Sequence, residues 1–258
     1  MNCYLTRRDF LRTSGAALIL SALMPRNLFA GGFKIPVLLY HDISDQFRDG
    51  YTISPSIFAA QMEWLYSHDY RAISLRELNG LAGKSIDKAV IITFDDGYAS
   101  FMDYAFPLLR EYSFRATINV IGQYVGSFLH FGGNRPMLSW DEYRYLIESG
   151  VVDLGCYSYS LHVPGGVLQV SEKILKDDLR LFTEILEKET ERNTDILAWP
   201  LGIYDRKRMR IAKEAGFKYL LTSREGYLST DASLSEIPRL NINNRVEFAS
   251  FKRLVGAP

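Results

Sequence analysis

Asp95 and Asp96 stand side by side at the end of the apolar run Val90-Ile91-Ile92-Thr93-Phe94, and Gly97 follows at once. A β-branched and aromatic run of this kind reads as a strand buried on both faces. Two adjacent carboxylates repel each other, so one must be neutralised, hydrogen-bonded or held by a cation. In a parallel α/β protein the C-terminal strand end is where active sites form, which puts the pair where chemistry would be expected. The plainer alternative is that Asp95 caps the next helix and Asp96 is solvated. Further along, Tyr157 and His162 follow a second apolar strand, and His41 ends the first one; His68 and His130 complete the 4 histidines.

Elements that would hold these residues alternate between short apolar strands and amphipathic helices from Ile35 onward, the pattern of a parallel sheet. Strands are expected at 35–39, 71–75, 89–94, 115–121, 151–156, 196–200 and 218–222. Ser54-Pro55 opens a helix with proline in its first turn, and Ser139 and Glu142 have the spacing of a capping box. The helix at 100–112 accommodates Pro107 only with a kink or restart, and 171–189 is a long charged helix. Segment 122–137 is rich in glycine and aromatics without a period and reads as a functional loop. A barrel of parallel strands or an open doubly wound sheet would each produce this alternation.

Thr93-Phe94-Asp95-Asp96-Gly97 resembles the signature of the polysaccharide deacetylases, carbohydrate esterases with a nodulation-type deacetylase domain. Val37-Leu38-Leu39-Tyr40-His41-Asp42-Ile43, the helix around Phe58 to Leu65, Ala198-Trp199-Pro200-Leu201-Gly202 and Ile237-Pro238-Arg239-Leu240 fall in the same order as in that family, so the resemblance spans about 35–254. It implies an α/β fold, a distorted parallel (β/α)7–8 barrel, and favours the barrel over the open sheet.

By the same resemblance, Asp95 is the general base and Asp96 a ligand of a divalent metal ion, zinc or another transition metal. The family's remaining ligands are two histidines, which in exported biofilm-polysaccharide deacetylases lie five positions apart in a pattern like Gly-Ser-His-Thr-Tyr-Asp-Leu-His. Here the stretch reads Gly155-Cys156-Tyr157-Ser158-Tyr159-Ser160-Leu161-His162, so His162 matches the second histidine and Tyr157 stands in place of the first. A tyrosine ligates well only as phenolate, from an ordinary pKa of about 10. Leu201 follows the motif proline, where the family offers a backbone N–H to the oxyanion, and Ala198 stands where the family carries an arginine. His41 is the strand-end imidazole open to a general-acid role, with Asp42 or another carboxylate to orient it; a histidine satisfied by backbone beneath the site is the alternative. Tyr159, Trp199, Tyr124 and Phe131 are candidate sugar-stacking surfaces, each also readable as core.

The first 30 residues lie outside this fold. Thr6-Arg7-Arg8-Asp9-Phe10-Leu11 is a twin-arginine pattern, and the apolar run 15–24 is too short for a stable membrane span. The expected organisation is a signal peptide at 1–30, with Ala30-Gly31 as its cleavage point, and a deacetylase-like domain at 31–258, acting in the periplasm or outside the cell with no stable membrane anchor. Removing the signal takes Arg7, Arg8, Arg12, Arg26 and Asp9, and turns a net charge of +0 into about −3, which argues against nucleic acid as a partner. Cys156 is then the single cysteine, which excludes an intramolecular disulfide.

Three functions compete. The first is an exported, metal-dependent hydrolase removing N-acetyl or O-acyl groups from an amino-sugar polysaccharide. The second is a catalytically impaired glycan-binding domain of the same fold, serving a polysaccharide-export or cell-wall complex. The third, a glycosidase, needs carboxylates on opposed faces of a sugar, which two neighbours on one strand end do not supply.

Overall fold

The structure, a computed structural model, describes residues 34–80, 88–130, 133–229 and 233–256. The expected signal peptide at 1–30, its expected cleavage point and Phe131 lie outside the described residues.

Eight strands make one parallel sheet: β1 (Val37–Tyr40), β2 (Arg71–Ala72), β3 (Ala89–Asp96), β4 (Ala116–Val120), β5 (Val152–Cys156), β6 (Ile196–Ala198), β7 (Tyr219–Leu221) and β8 (Leu240–Asn241). Their spatial order is β7-β6-β5-β4-β3-β1-β8, with β2 pairing along the start of β3. The segment 237–241 curls this sheet into a distorted barrel. Ile237 bridges to Leu221 at one end of the sheet, while Leu240 pairs with Leu38 at the other.

Side-chain alternation along the strands divides the core into two layers. Val90, Ile92 and Phe94 pack toward the surrounding helices, with Phe58, Met62, Leu65 and Leu109. Ala89 and Ile91 belong to the other layer, with Ile121, Tyr157, Ile196, Ala198 and Leu221, inside the barrel. The same alternation sets the rim. His41 continues the inward series of Val37 and Leu39, Asp95 that of Ala89 and Ile91, and Arg239 is the inward neighbour of outward-packed Leu240.

The helices obey their local signals. Ser54 caps α1 (Pro55–Ser67) by accepting from the Ile57 N–H, with Pro55 in the first turn where its missing N–H costs nothing. Before α2 (Phe106–Glu111) the chain makes a π turn, Phe101–Ala105, in which the Phe106 N–H reaches the Phe101 carbonyl. That wide turn is how the helix accommodates Pro107. Ser139 and Glu142 form both bonds of the capping box that starts α3 (Trp140–Glu148). The apolar stripe Leu175, Leu179, Phe182 and Leu186 seats α4 (Glu172–Thr190), and α5 (Arg206–Glu214) and α6 (Phe248–Gly256) complete the outer layer.

Segment 122–137, expected to be aperiodic, contains a hairpin of Phe128–His130 against Asn134–Pro136. Its alternation lasts only three residues per strand, with Leu129 and Arg135 turned inward, too short for sequence periodicity to reveal. Among the described residues no helix is long and apolar enough to cross a membrane.

Candidate active site

Asp95 is fully buried at the end of β3 and is held from three directions. Arg239 donates to both its oxygens, each at 2.7 Å, and Asn119 Nδ2 donates to Oδ1 at 2.7 Å. Asn119 is its cross-strand partner on β4, so the sheet register places that donor. Arg239 is itself fixed, through Nε on the Thr222 carbonyl at 2.8 Å and through Nη1 on Thr93 Oγ1 at 3.2 Å. Burial would raise the Asp95 carboxyl, but the charge and hydrogen bonds of Arg239, with smaller help from His41 and Asn119, outweigh it and hold the group below its ordinary value. Asp95 is therefore an ionised carboxylate in a water-poor site.

Asp96 behaves in the opposite way. Strand alternation would turn it outward, but its φ of +75° breaks the alternation and swings it into the rim. Gly97 continues the turn at φ +94°, and a Cβ there would overlap the Tyr143 hydroxyl. Burial, reinforced by Asp95, raises the Asp96 carboxyl to about 6 despite His41, a hydrogen bond from Tyr98 and the charge of Arg135. His162 faces it, with Nδ1 3.5 Å from Asp96 Oδ1. Burial lowers the His162 imidazole against the pull of Asp95.

The loop that carries His162 is built by its polar groups. Ser158 takes a left-handed φ of +70°, and its hydroxyl accepts from the Leu161 N–H at 2.9 Å. Asp178, buried on α4, accepts from the N–H groups of Tyr159 and Ser160, each at 2.8 Å.

His41 is buried and its Nδ1 has no hydrogen-bond partner. Burial lowers its pKa against the attraction of Asp96 and Asp95, which leaves the ring neutral near pH 7. Asp42 does not orient it, because that carboxylate is engaged by Arg135 at 3.1 Å and Ser100 at 2.7 Å. The ring that touches His41 is Tyr51, with centroids 5.1 Å apart.

A cavity of about 240 Å³ brings together His41, Asp95, Asp96, Tyr157, His162, Leu201 and Arg239, with Tyr51, Tyr98, Leu39 and Leu129 also on its walls. The three sugar-stacking candidates within the described residues lie elsewhere. Trp199 follows inward-facing Ala198, so it turns outward, is 1% exposed and stacks on Tyr204 at 5.4 Å. Tyr159 packs over Gly122 and Tyr124 against the inner layer. Tyr51, 41% exposed, and buried Tyr98 are aromatic walls that the sequence did not single out.

Two atoms of this cavity suit a divalent cation. Asp96 Oδ1 and His162 Nδ1 are both buried without a hydrogen-bond partner, and their 3.5 Å separation is close to the ~3.4 Å expected between ligand atoms about 2.1 Å from one tetrahedral ion. Tyr157 does not complete the set. Its oxygen accepts from the Leu201 N–H at 3.1 Å, and burial, with Asp95 and Asp96, pushes its hydroxyl well above the ordinary value, away from phenolate. Among the described residues no group of three or more His, Cys, Asp or Glu side chains is arranged to hold a metal ion.

Comparison with known proteins agrees with this architecture. The family model for polysaccharide deacetylase matches residues 82–220. The chain is 28% identical over 201 residues to the poly-beta-1,6-N-acetyl-D-glucosamine N-deacetylase of Staphylococcus epidermidis, which covers 75% of this chain and 69% of that protein. Among solved structures, IcaB from Ammonifex degensii superposes with a TM-score of 0.75 at 24% identity, over 88% of this chain and 97% of that one. A polysaccharide deacetylase from Bacillus cereus gives 0.74 at 25% identity, over 87% of this chain and 69% of that one. This chain belongs to the polysaccharide deacetylase family.

Proposed function

We propose that this chain is an exported N-deacetylase of an N-acetylated amino-sugar polysaccharide, with a β-1,6-linked N-acetylglucosamine polymer as the leading substrate because relatives carry that activity in their names. The observation that carries the reading is the convergence in one cavity of an ionised, arginine-clamped carboxylate, a carboxylate–imidazole pair whose facing atoms, Asp96 Oδ1 and His162 Nδ1, have no hydrogen-bond partner, and a second imidazole.

Asp95 takes a proton from a water molecule as its oxygen attacks the acetamide carbonyl carbon. A C–O bond forms and the carbonyl π electrons move onto oxygen. Leu39 and Leu129 supply apolar wall for the acetyl methyl. Collapse of the tetrahedral species re-forms the carbonyl, breaks the C–N bond and expels the amine, to which neutral His41 relays the proton that Asp95 took from water. The products are acetate and a free amino sugar. Arg239 keeps Asp95 ionised before the attack and fixes the orientation of its oxygens. A divalent transition-metal ion held by Asp96 and His162 would supply Lewis acidity toward the water and the carbonyl oxygen. Residues 1–30 read as a twin-arginine leader, so the enzyme would act in the periplasm or outside the cell.

The test is incubation of purified protein and zinc or cobalt with β-1,6-linked N-acetylglucosamine oligomers and, separately, an O-acetylated polymer. Acetate and primary amine released in equal amounts from the first support the reading. Acetate from the second alone contradicts the N-deacetylase assignment.

A further inference from the structure

The position where a second metal-ligating histidine would stand carries a phenol, and its surroundings give it another occupation. Tyr157 is buried on the inner layer, forms part of the cavity wall with Asp95 and His162, and touches the His162 ring with centroids 5.2 Å apart. Its oxygen already accepts the Leu201 N–H at 3.1 Å. Leu201 is locked in that orientation by a left-handed φ of +58°, and the turn is packed so closely that a Cβ on Gly202 would overlap Ser223 Oγ. The hydrogen of the Tyr157 hydroxyl has no acceptor among the described residues.

From this arrangement we propose that Tyr157 is a catalytic hydrogen-bond donor to the oxyanion of the tetrahedral intermediate. This rests on the deacetylase reading. The Leu201 amide does not meet the substrate directly; it donates to the phenol oxygen, and the phenol passes the hydrogen bond on to the substrate oxygen. Accepting one hydrogen bond polarises the O–H and strengthens the one it donates. The proton stays on Tyr157 throughout, so the role calls for the neutral phenol that burial favours. A donor aimed where negative charge develops acts without reorganisation in a site shielded from water. The exchange of imidazole for phenol at residue 157 thus replaces a metal ligand with an oxyanion donor.

Tyr157→Phe removes the hydroxyl and leaves the ring. With zinc-loaded protein and N-acetylglucosamine oligomers, kcat is expected to fall about 100-fold, the size of a lost oxyanion donor, with KM within about twofold. The zinc-induced rise in melting temperature is expected to be the same in both proteins. Binding of methylphosphonate, a tetrahedral anion resembling the intermediate, is expected to weaken about 10-fold in Tyr157→Phe. Unchanged kcat, or equal methylphosphonate affinity, would overturn the proposal. So would loss of the zinc-induced shift, which would make Tyr157 a metal ligand. If the wild type releases no acetate, the deacetylase reading fails on its own, and the methylphosphonate comparison still decides the donor role.

Discussion

Arg239 grips Asp95 through two parallel hydrogen bonds of 2.7 Å from 144 positions further along the chain. Ala198 stands where the resemblance implied an arginine, and the cation that meets Asp95 comes from the strand segment that closes the barrel. Breaking one side of such a buried pair leaves a charge without compensation, a loss of about 3–5 kcal/mol. Arg239→Met is therefore expected to lower unfolding free energy by that order and to abolish turnover, as Asp95 takes up a proton. Arg239→Lys restores the charge but not the two-pronged contact, so intermediate stability and low kcat are expected. Urea unfolding and acetate release check both.

The raised carboxyl of Asp96 ties stability to pH in metal-free protein. A folded-state value of about 6 against an ordinary 3.8 means that the folded protein binds this proton more tightly than the unfolded chain. The resulting stability is fully present below pH 3.8 and is lost as pH rises from 3.8 through about 6. The size is about 3 kcal/mol for two units of pKa. Asp96→Asn lacks this dependence, so its stability relative to wild type should rise between pH 4 and 7 and then level off, as read by urea unfolding in chelator. A flat difference would contradict an Asp96 carboxyl raised by burial.

Cation binding should be visible without catalysis. Zinc at about 100 times its dissociation constant stabilises a folded protein by about 2.7 kcal/mol, so wild type should show a concentration-dependent rise in melting temperature. Asp96→Asn and His162→Ala should show none. Tyr157→His adds a second imidazole as the third ligand and should bind zinc at least about 10-fold more tightly, measured by competition with a chelator.

Strand parity made much of this site readable from the chain. Once Val90, Ile92 and Phe94 are assigned to the helix side, Asp95 must point inward, and the same count along the first strand turns His41 into the barrel. Of the two readings open for Trp199, the same count selects core, since it falls on the outward parity with Cys156 and Phe94. Other features had no local signal. Arg239 meets Asp95 only because the sheet curls until 237–241 bridges its two ends, a long-range event. The left-handed backbone at Asp96, Ser158 and Leu201 breaks parity at three strand ends, and none of the three is a glycine that would have advertised it. Tyr51 reaches the cavity from a loop with no period to read.

The arginine-clamped carboxylate is the proposed base, and Asp95→Asn is the substitution that isolates this role. The side chain keeps its shape and loses its charge. With zinc present, wild type is expected to release acetate from N-acetylglucosamine oligomers, while Asp95→Asn keeps the zinc-induced thermal shift and releases acetate at least about 100-fold more slowly. Equal rates for the two proteins, or no acetate from a wild type that binds zinc, would contradict it.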